Sequence, residues 1–215
     1  MGKRQKYLEP GLKIEVRISE IVSVFLCLFL ATYLSLFLAF IIRFDDFLVS
    51  GTSMEDNYVT GDYVYADKFL DIKHGDVVVI YEKTLDGKVD SEGKPVNPYI
   101  LKRVVGLPYD TVKIVSALGE YRIEVNNVIE REWYLTKPWT TNYGINNNVT
   151  LGAGEYYVLG DNRNDSKDSR DSEIGIKTAD EIVGVVIMKV DKDKGFFEHV
   201  AKRFDLMFNL EFWLS

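Results

Sequence analysis

From Ile18 to Ile42 the chain reads ISEIVSVFLCLFLATYLSLFLAFII, and Glu20 is its one charged residue. As a helix this run is about 37 Å long, enough to cross a hydrocarbon core of about 30 Å with some tilt. A cleaved leader carries a shorter apolar run, and a buried helix of a soluble protein carries a polar stripe that is missing here. The run is therefore expected to be a retained transmembrane anchor. Lys3, Arg4, Lys6, Lys13 and Arg17 precede it, and Asp45 and Asp46 follow. The basic side is expected to stay in the cytoplasm, leaving the rest of the chain outside the cell membrane, which it crosses once.

Charge supports this division. Up to Arg43 there are six basic and three acidic residues, a net of +3, which leaves −10 for the remainder of a chain of net −7. An acidic body argues against nucleic-acid binding. Cys27 is the single cysteine, and His74 and His199 are the only histidines, so no intramolecular disulfide forms and neither a metal site nor a cofactor is expected.

Beyond the anchor the chain is a series of short β-type runs separated by turn residues. Tyr63–Asp67, Val77–Tyr81, Ile100–Val105, Thr111–Val115, Tyr121–Val125, Val128–Glu132, Gly154–Gly160 and Ile182–Val190 read as strands. Asn126-Asn127 suits a two-residue hairpin. The expected fold is mainly β, an antiparallel sheet domain preceded by one transmembrane helix. The expected organisation is a basic cytoplasmic segment over 1–17, the anchor over 18–42, an extracytoplasmic β domain over 43–195 and an aromatic amphipathic tail over 196–215. A polar excursion from the core is expected over about 116–150. The tail suits packing on the domain or lying in the membrane interface.

Three stretches carry chemistry. Ser53 lies in Ser50-Gly51-Thr52-Ser53-Met54, a loop that suits a nucleophile and equally an ordinary turn. His74 and His199 lie in settings that suit structural roles, so a base must come from elsewhere. Lys102 is the one lysine flanked by Ile100, Leu101, Val104 and Val105. Burial there would lower its pKa and make it a general base; an edge-strand lysine that discourages aggregation fits the same pattern. The third stretch, GDNRNDSKDSR from Gly160 to Arg170, is a solvated loop or a buried, cross-bonded one that positions groups on a neighbouring strand.

Four stretches in this order after one anchor, GTSM…GDYV, GDVVVI, YILKRVVGLPYD and GDNRNDSKDSR, resemble the membrane-bound type I signal peptidases, in their short Gram-positive form. The resemblance covers most of Ser50 to Val190. It implies a Ser–Lys dyad on a β-sheet fold that cleaves signal peptides from exported preproteins. It makes Ser53 the nucleophile and Lys102 the general base. It also implies that Ser166 hydrogen-bonds the lysine amine, that Asp168 and Arg170 form a structural ion pair, and that Asp161 and Arg163 brace the loop. Phe47, Val49, Met54, Tyr58, Ile100 and Leu101 are the expected pocket residues by position relative to the dyad. The chain departs from the family pattern where Glu55-Asp56-Asn57-Tyr58 replaces x-Pro-Thr-Leu, where Gly51 stands in place of a hydroxyl, and where Tyr109 replaces a glycine.

Three other readings compete. A non-cleaving relative that assists surface or pilus assembly would explain the altered 55–58 stretch. A self-cleaving repressor shares the dyad but lacks the anchor and the GDNRNDSKDSR loop. Ser91-Glu92-Gly93-Lys94 has the letters of a penicillin-binding enzyme but sits in a polar loop without that family's other motifs.

Overall fold

The computed structural model describes residues 10–142, 147–194 and 196–208. It divides into two compact units, the first ending at Ile42 and the second starting at Arg43. Helix α1 runs from Pro10 to Arg43, beginning earlier than the apolar run because proline suits the first helical position. Its Arg17–Arg43 part has a mean hydropathy of 2.6 and is long and apolar enough to cross a membrane. The hydroxyls inside it bond to its own backbone: Ser23 to Ser19 O, Thr32 to Phe29 O and Ser35 to Ala31 O. No polar side chain among these three then needs water.

The second unit is built on two antiparallel sheets. The larger contains β1 (Phe44–Leu48), β2 (Tyr63–Asp67), β3 (Val77–Tyr81), β4 (Tyr99–Gly106), β9 (Glu155–Leu159), β10 (Lys177–Thr178) and β11 (Ile182–Val190), in the order β1-β2-β11-β3-β4-β9-β10. The smaller contains β5 (Thr111–Ala117), β6 (Glu120–Val125), β7 (Val128–Ile129) and β8 (Asn148–Thr150), in the order β7-β6-β5-β8. Asn126 and Asn127 take φ values of 51° and 66° and turn β6 into β7, as two-residue hairpins require.

One pairing detail prepares the site. Strand β4 pairs with β3 from Tyr99 to Arg103 but with β9 only from Arg103 onward. Residues 99–102 therefore leave one edge open. Among the described residues strand β1 pairs only with β2 and leaves a second open edge.

One expectation needs revision. The stretch read as a polar excursion is a second sheet with its own core of Val112, Ile123, Val125, Trp139 and Leu151, joined to Val105, Tyr157 and Leu159. Trp139 is only 1% exposed despite lying in a polar run, because its ring is covered by residues distant in sequence. The tail forms α2 (Phe196–Phe208), with Leu206 and Met207 buried. Arg203 of α2 donates to Asp46 on β1 and lies over the Tyr65 ring on β2, so this helix packs on the domain. Phe204 and Phe208 stack on each other on its exposed side. Residues 209–215, including Trp213, lie outside the described residues.

Candidate active site

The loop between β1 and β2 carries Ser53. Its base is closed by Val49 N to Asp62 O at 2.8 Å, Gly61 N to Val49 O at 3.0 Å, and a two-way bond between Gly51 and the Thr60 hydroxyl. Gly51 sits at φ 92°, a conformation that favours glycine. From Thr52 the backbone coils, with Glu55 N donating to Thr52 O and Tyr58 N to Met54 O. Met54 is 2% exposed and pins the coil into the apolar cluster of Val49, Val64, Ala66, Val77, Val79 and Leu101.

Lys102 reaches this loop from β4. Its Nζ lies 2.7 Å from the Ser53 Oγ, and the residue is 3% exposed. Burial lowers the pKa of its amine from 10.5 to about 8; Asp168 and Asp161 oppose the shift, and Arg170 adds to it. The two groups can therefore pass a proton near neutral pH, because about a tenth of the amine is uncharged at pH 7 and more as the pH rises.

The Gly160–Arg170 loop is buried and cross-bonded. Asp168 accepts from Gly160 N at 3.0 Å and from two Arg170 nitrogens at 2.7 and 2.8 Å. Burial alone would raise the Asp168 pKa, but the bonds to Arg170 outweigh it and hold the carboxyl below its usual range. Arg170 also donates to Arg163 O, while Arg163 donates to Gly160 O and to Glu132. Both guanidinium groups lie over the Trp139 ring, at 5.1 and 5.2 Å. The loop returns to β9 through Ser169, whose Oγ accepts from Val158 N and whose N donates to Val158 O.

Asp161 ties this loop to the strand of the lysine. It takes two bonds from Arg103, at 2.8 and 2.6 Å, and Arg103 is the residue after Lys102. On the other side the loop holds the serine turn: Asn162 N donates to Ser53 O at 3.0 Å, and Asn162 Nδ2 to Thr52 O at 3.1 Å. Gly160 makes the approach possible. A Cβ there would lie 2.4 Å from Ser53 O and 2.2 Å from Ser166 Oγ.

Two expected contacts are absent. Ser166 does not bond the lysine amine; its hydroxyl sits beside Gly160 and makes a long bond of 3.5 Å to Lys167 O. Ile100 does not join the pocket. It packs against Val78, Ile80, Val104, Val158 and Val185, because side chains alternate along a strand and Leu101 takes the other face. Phe47, Val49, Met54, Tyr58 and Leu101 do come together in one cluster, and the Phe47 ring meets Tyr99 at 5.0 Å. Sequence reasoning missed Asn57, Arg103, Glu132, Tyr134, Trp139 and Asn162. Of these only Arg103 had a local signal, a charge in an apolar strand beside Lys102. His74 pairs with Asp110 at 3.0 Å, and Lys94 is exposed beside Glu92. Among the described residues no three His, Cys, Asp or Glu side chains converge as a metal site would require.

A family model described as signal peptidase, peptidase S26, matches residues 18–190. The chain belongs to this family. It is 30% identical over 158 residues to signal peptidase I P of Bacillus subtilis subsp. natto, covering 68% of this chain and 77% of that protein. It is 27% identical over 151 residues to signal peptidase I U of Bacillus subtilis strain 168, covering 67% and 74%. A solved signal peptidase I from Enterococcus faecalis V583 aligns with a TM-score of 0.40 at 23% identity, over 55% of this chain and 98% of that one. By family and relatives the chain is an enzyme of the signal peptidase I class.

Proposed function

We propose that this chain is a membrane-anchored serine endopeptidase that removes N-terminal signal peptides from exported preproteins through Ser53 and Lys102. The observation that carries this reading is the 2.7 Å approach of a buried lysine amine to a serine hydroxyl. Neutral Lys102 takes the Ser53 proton as Oγ attacks the scissile carbonyl. The tetrahedral intermediate collapses to an acyl-enzyme, and the protonated lysine gives its proton to the departing amine. A water then loses a proton to the same lysine and attacks the ester; the lysine returns that proton to Ser53 Oγ as the acyl bond breaks and the signal peptide leaves with a new C-terminal carboxyl group. The Ser53 backbone N–H is the candidate donor to the oxyanion.

The substrate lies extended between the open edges of β1 and of residues 99–102, adding a strand. Val49, Met54 and Leu101 are already buried in the free protein, so the pocket beside Ser53 is shallow. Shallow pockets admit Ala, Ser or Gly. Helix α1 holds this site at the outer membrane surface, with the basic end in the cytoplasm, and so raises the local concentration of emerging cleavage points.

The test is preprotein cleavage by the full chain in lipid vesicles across a pH series. Because the base must be neutral, kcat/KM is expected to fall about tenfold per pH unit below about 8 and to level off above it. Ser53→Ala is expected to bind preprotein and not cut it. Cleavage by Ser53→Ala at the wild-type rate would refute the reading, whereas an inert wild type would favour the non-cleaving alternative.

A further inference from the structure

The stretch where the chain departs from its family, Glu55-Asp56-Asn57-Tyr58, makes contacts that nothing in the sequence suggested. Asn57 Nδ2 donates to Asp161 Oδ2 at 2.7 Å and to Tyr134 O at 3.0 Å. Asp56 accepts from the Thr136 hydroxyl at 2.7 Å and from Lys137 Nζ at 2.9 Å. The turn that carries the nucleophile is thus fastened by three bonds to a segment some 80 residues away in sequence, and by a fourth to Asp161 in the polar loop.

That segment, residues 132–141, is itself tied to the rest of the site. The Tyr134 ring lies 4.0 Å from the Arg103 guanidinium, next to Lys102 on β4. Tyr134 therefore holds the nucleophile turn through its carbonyl and the strand of the lysine through its ring. Glu132 pairs with buried Arg163, Trp139 lies under Arg163 and Arg170, and Asn164 bonds Thr140 N, Thr141 N and Pro138 O. Residues 132–141 run as a strap between the turn that carries Ser53 and the strand that carries Lys102.

We propose that Asn57 is a positioning residue for Ser53, and that the strap, gripped by Asn57 and Asp56, sets the separation of Ser53 from Lys102. The inference rests on the Ser53–Lys102 reading. Asn57 touches neither reacting atom; it acts through the turn, four residues after the nucleophile. Its amide suits the place because both of its N–H bonds go to acceptors, a carboxylate and a carbonyl. Asp56 adds an exposed ionic clasp, which holds its carboxyl below the usual range through the Thr136 and then the Lys137 bonds.

The test is steady-state cleavage of a preprotein by full-chain variants in lipid vesicles, with folding followed by circular dichroism. Asn57→Ala is expected to lower kcat about 10- to 100-fold with KM changed by less than about threefold, since misplacement of a reacting group by a fraction of an ångström acts on the chemical step. Asn57→Asp keeps the shape but faces two acceptors with a third, and is expected to be at least as slow. A space-filling role predicts the opposite, near-normal turnover for Asn57→Asp. Lys137→Ala is exposed and leaves the core untouched; it is expected to lower kcat about two- to fivefold, a difference that shrinks in high salt. Wild-type kcat in Asn57→Ala, or its recovery in Asn57→Asp, would overturn the proposal. If Asn57→Ala does not fold, an unchanged kcat in Lys137→Ala overturns it. An active Ser53→Ala instead removes the underlying reading, so the two failures are separable.

Discussion

Lys102→Met is expected to abolish cleavage while making the protein more stable. The loss follows from the proposed role: without the amine nothing takes the Ser53 proton, and turnover falls by at least about 1000-fold. The gain follows from burial. The lysine amine has an ordinary pKa of 10.5 when exposed and about 8 in the folded protein. Between these values the unfolded chain binds more protons than the folded one, so stability rises with pH over that window. Below about 8 the penalty is present in full, on the order of 3 kcal/mol at 1.36 kcal/mol per unit. Methionine fills a similar volume and carries no charge to desolvate. At pH 7 it is expected to raise the denaturant midpoint by an amount equivalent to about 1–3 kcal/mol, part of the gain being offset by the lost bond to Ser53. Near pH 10.5 the advantage should vanish. Urea titrations at both pH values check this, and a less stable Lys102→Met at pH 7 would contradict it.

Gly160→Ala is the second large effect. The added methyl would meet the Ser53 carbonyl oxygen at 2.4 Å and the Ser166 side chain at 2.2 and 2.6 Å. The hydroxyl of Ser166 could swing away, but the carbonyl is backbone, held by Asn162 N at 3.0 Å. Relief therefore requires the serine turn or the polar loop to move. Activity is expected to drop about 100-fold and stability by about 1–3 kcal/mol. Adding Ser166→Ala removes only the hydroxyl and should recover little, since the carbonyl contact remains. Full recovery in that double variant would show that the turn itself does not need the close approach. Preprotein cleavage and thermal melts of the two variants decide between these outcomes.

The parts of this site that were legible in the sequence are those fixed by neighbours along the chain. Lys102 among Ile100, Leu101, Val104 and Val105 suited burial and an exposed edge strand equally, and the Asp168–Arg170 pair that the family resemblance implied is two residues apart. The long apolar helix and the Asn126-Asn127 hairpin follow from composition and turn chemistry in the same local way. What stayed hidden is non-local. Trp139 lies in a run of Thr, Asn and Lys, and only the fold brings Arg163 and Arg170 over its ring. Tyr134 and Asn57 meet across 77 residues. Ser166 lies within the polar loop where the family pattern places it, yet local packing against Gly160 turns its hydroxyl elsewhere. Ile100 illustrates the converse: strand alternation assigns it to the face opposite Leu101, where it packs with Val78, Ile80 and Val104.

The proposed reaction turns on the charge state of one amine. A carbon-13 NMR titration of the Lys102 side chain, assigned by comparison with Lys102→Met and made on the full chain in lipid nanodiscs, reads that state directly. A midpoint near the value of about 8 set by burial is the predicted result. An ordinary lysine midpoint near 10.5 would contradict it, because the amine beside Ser53 would then hold its proton throughout the range in which the enzyme must work.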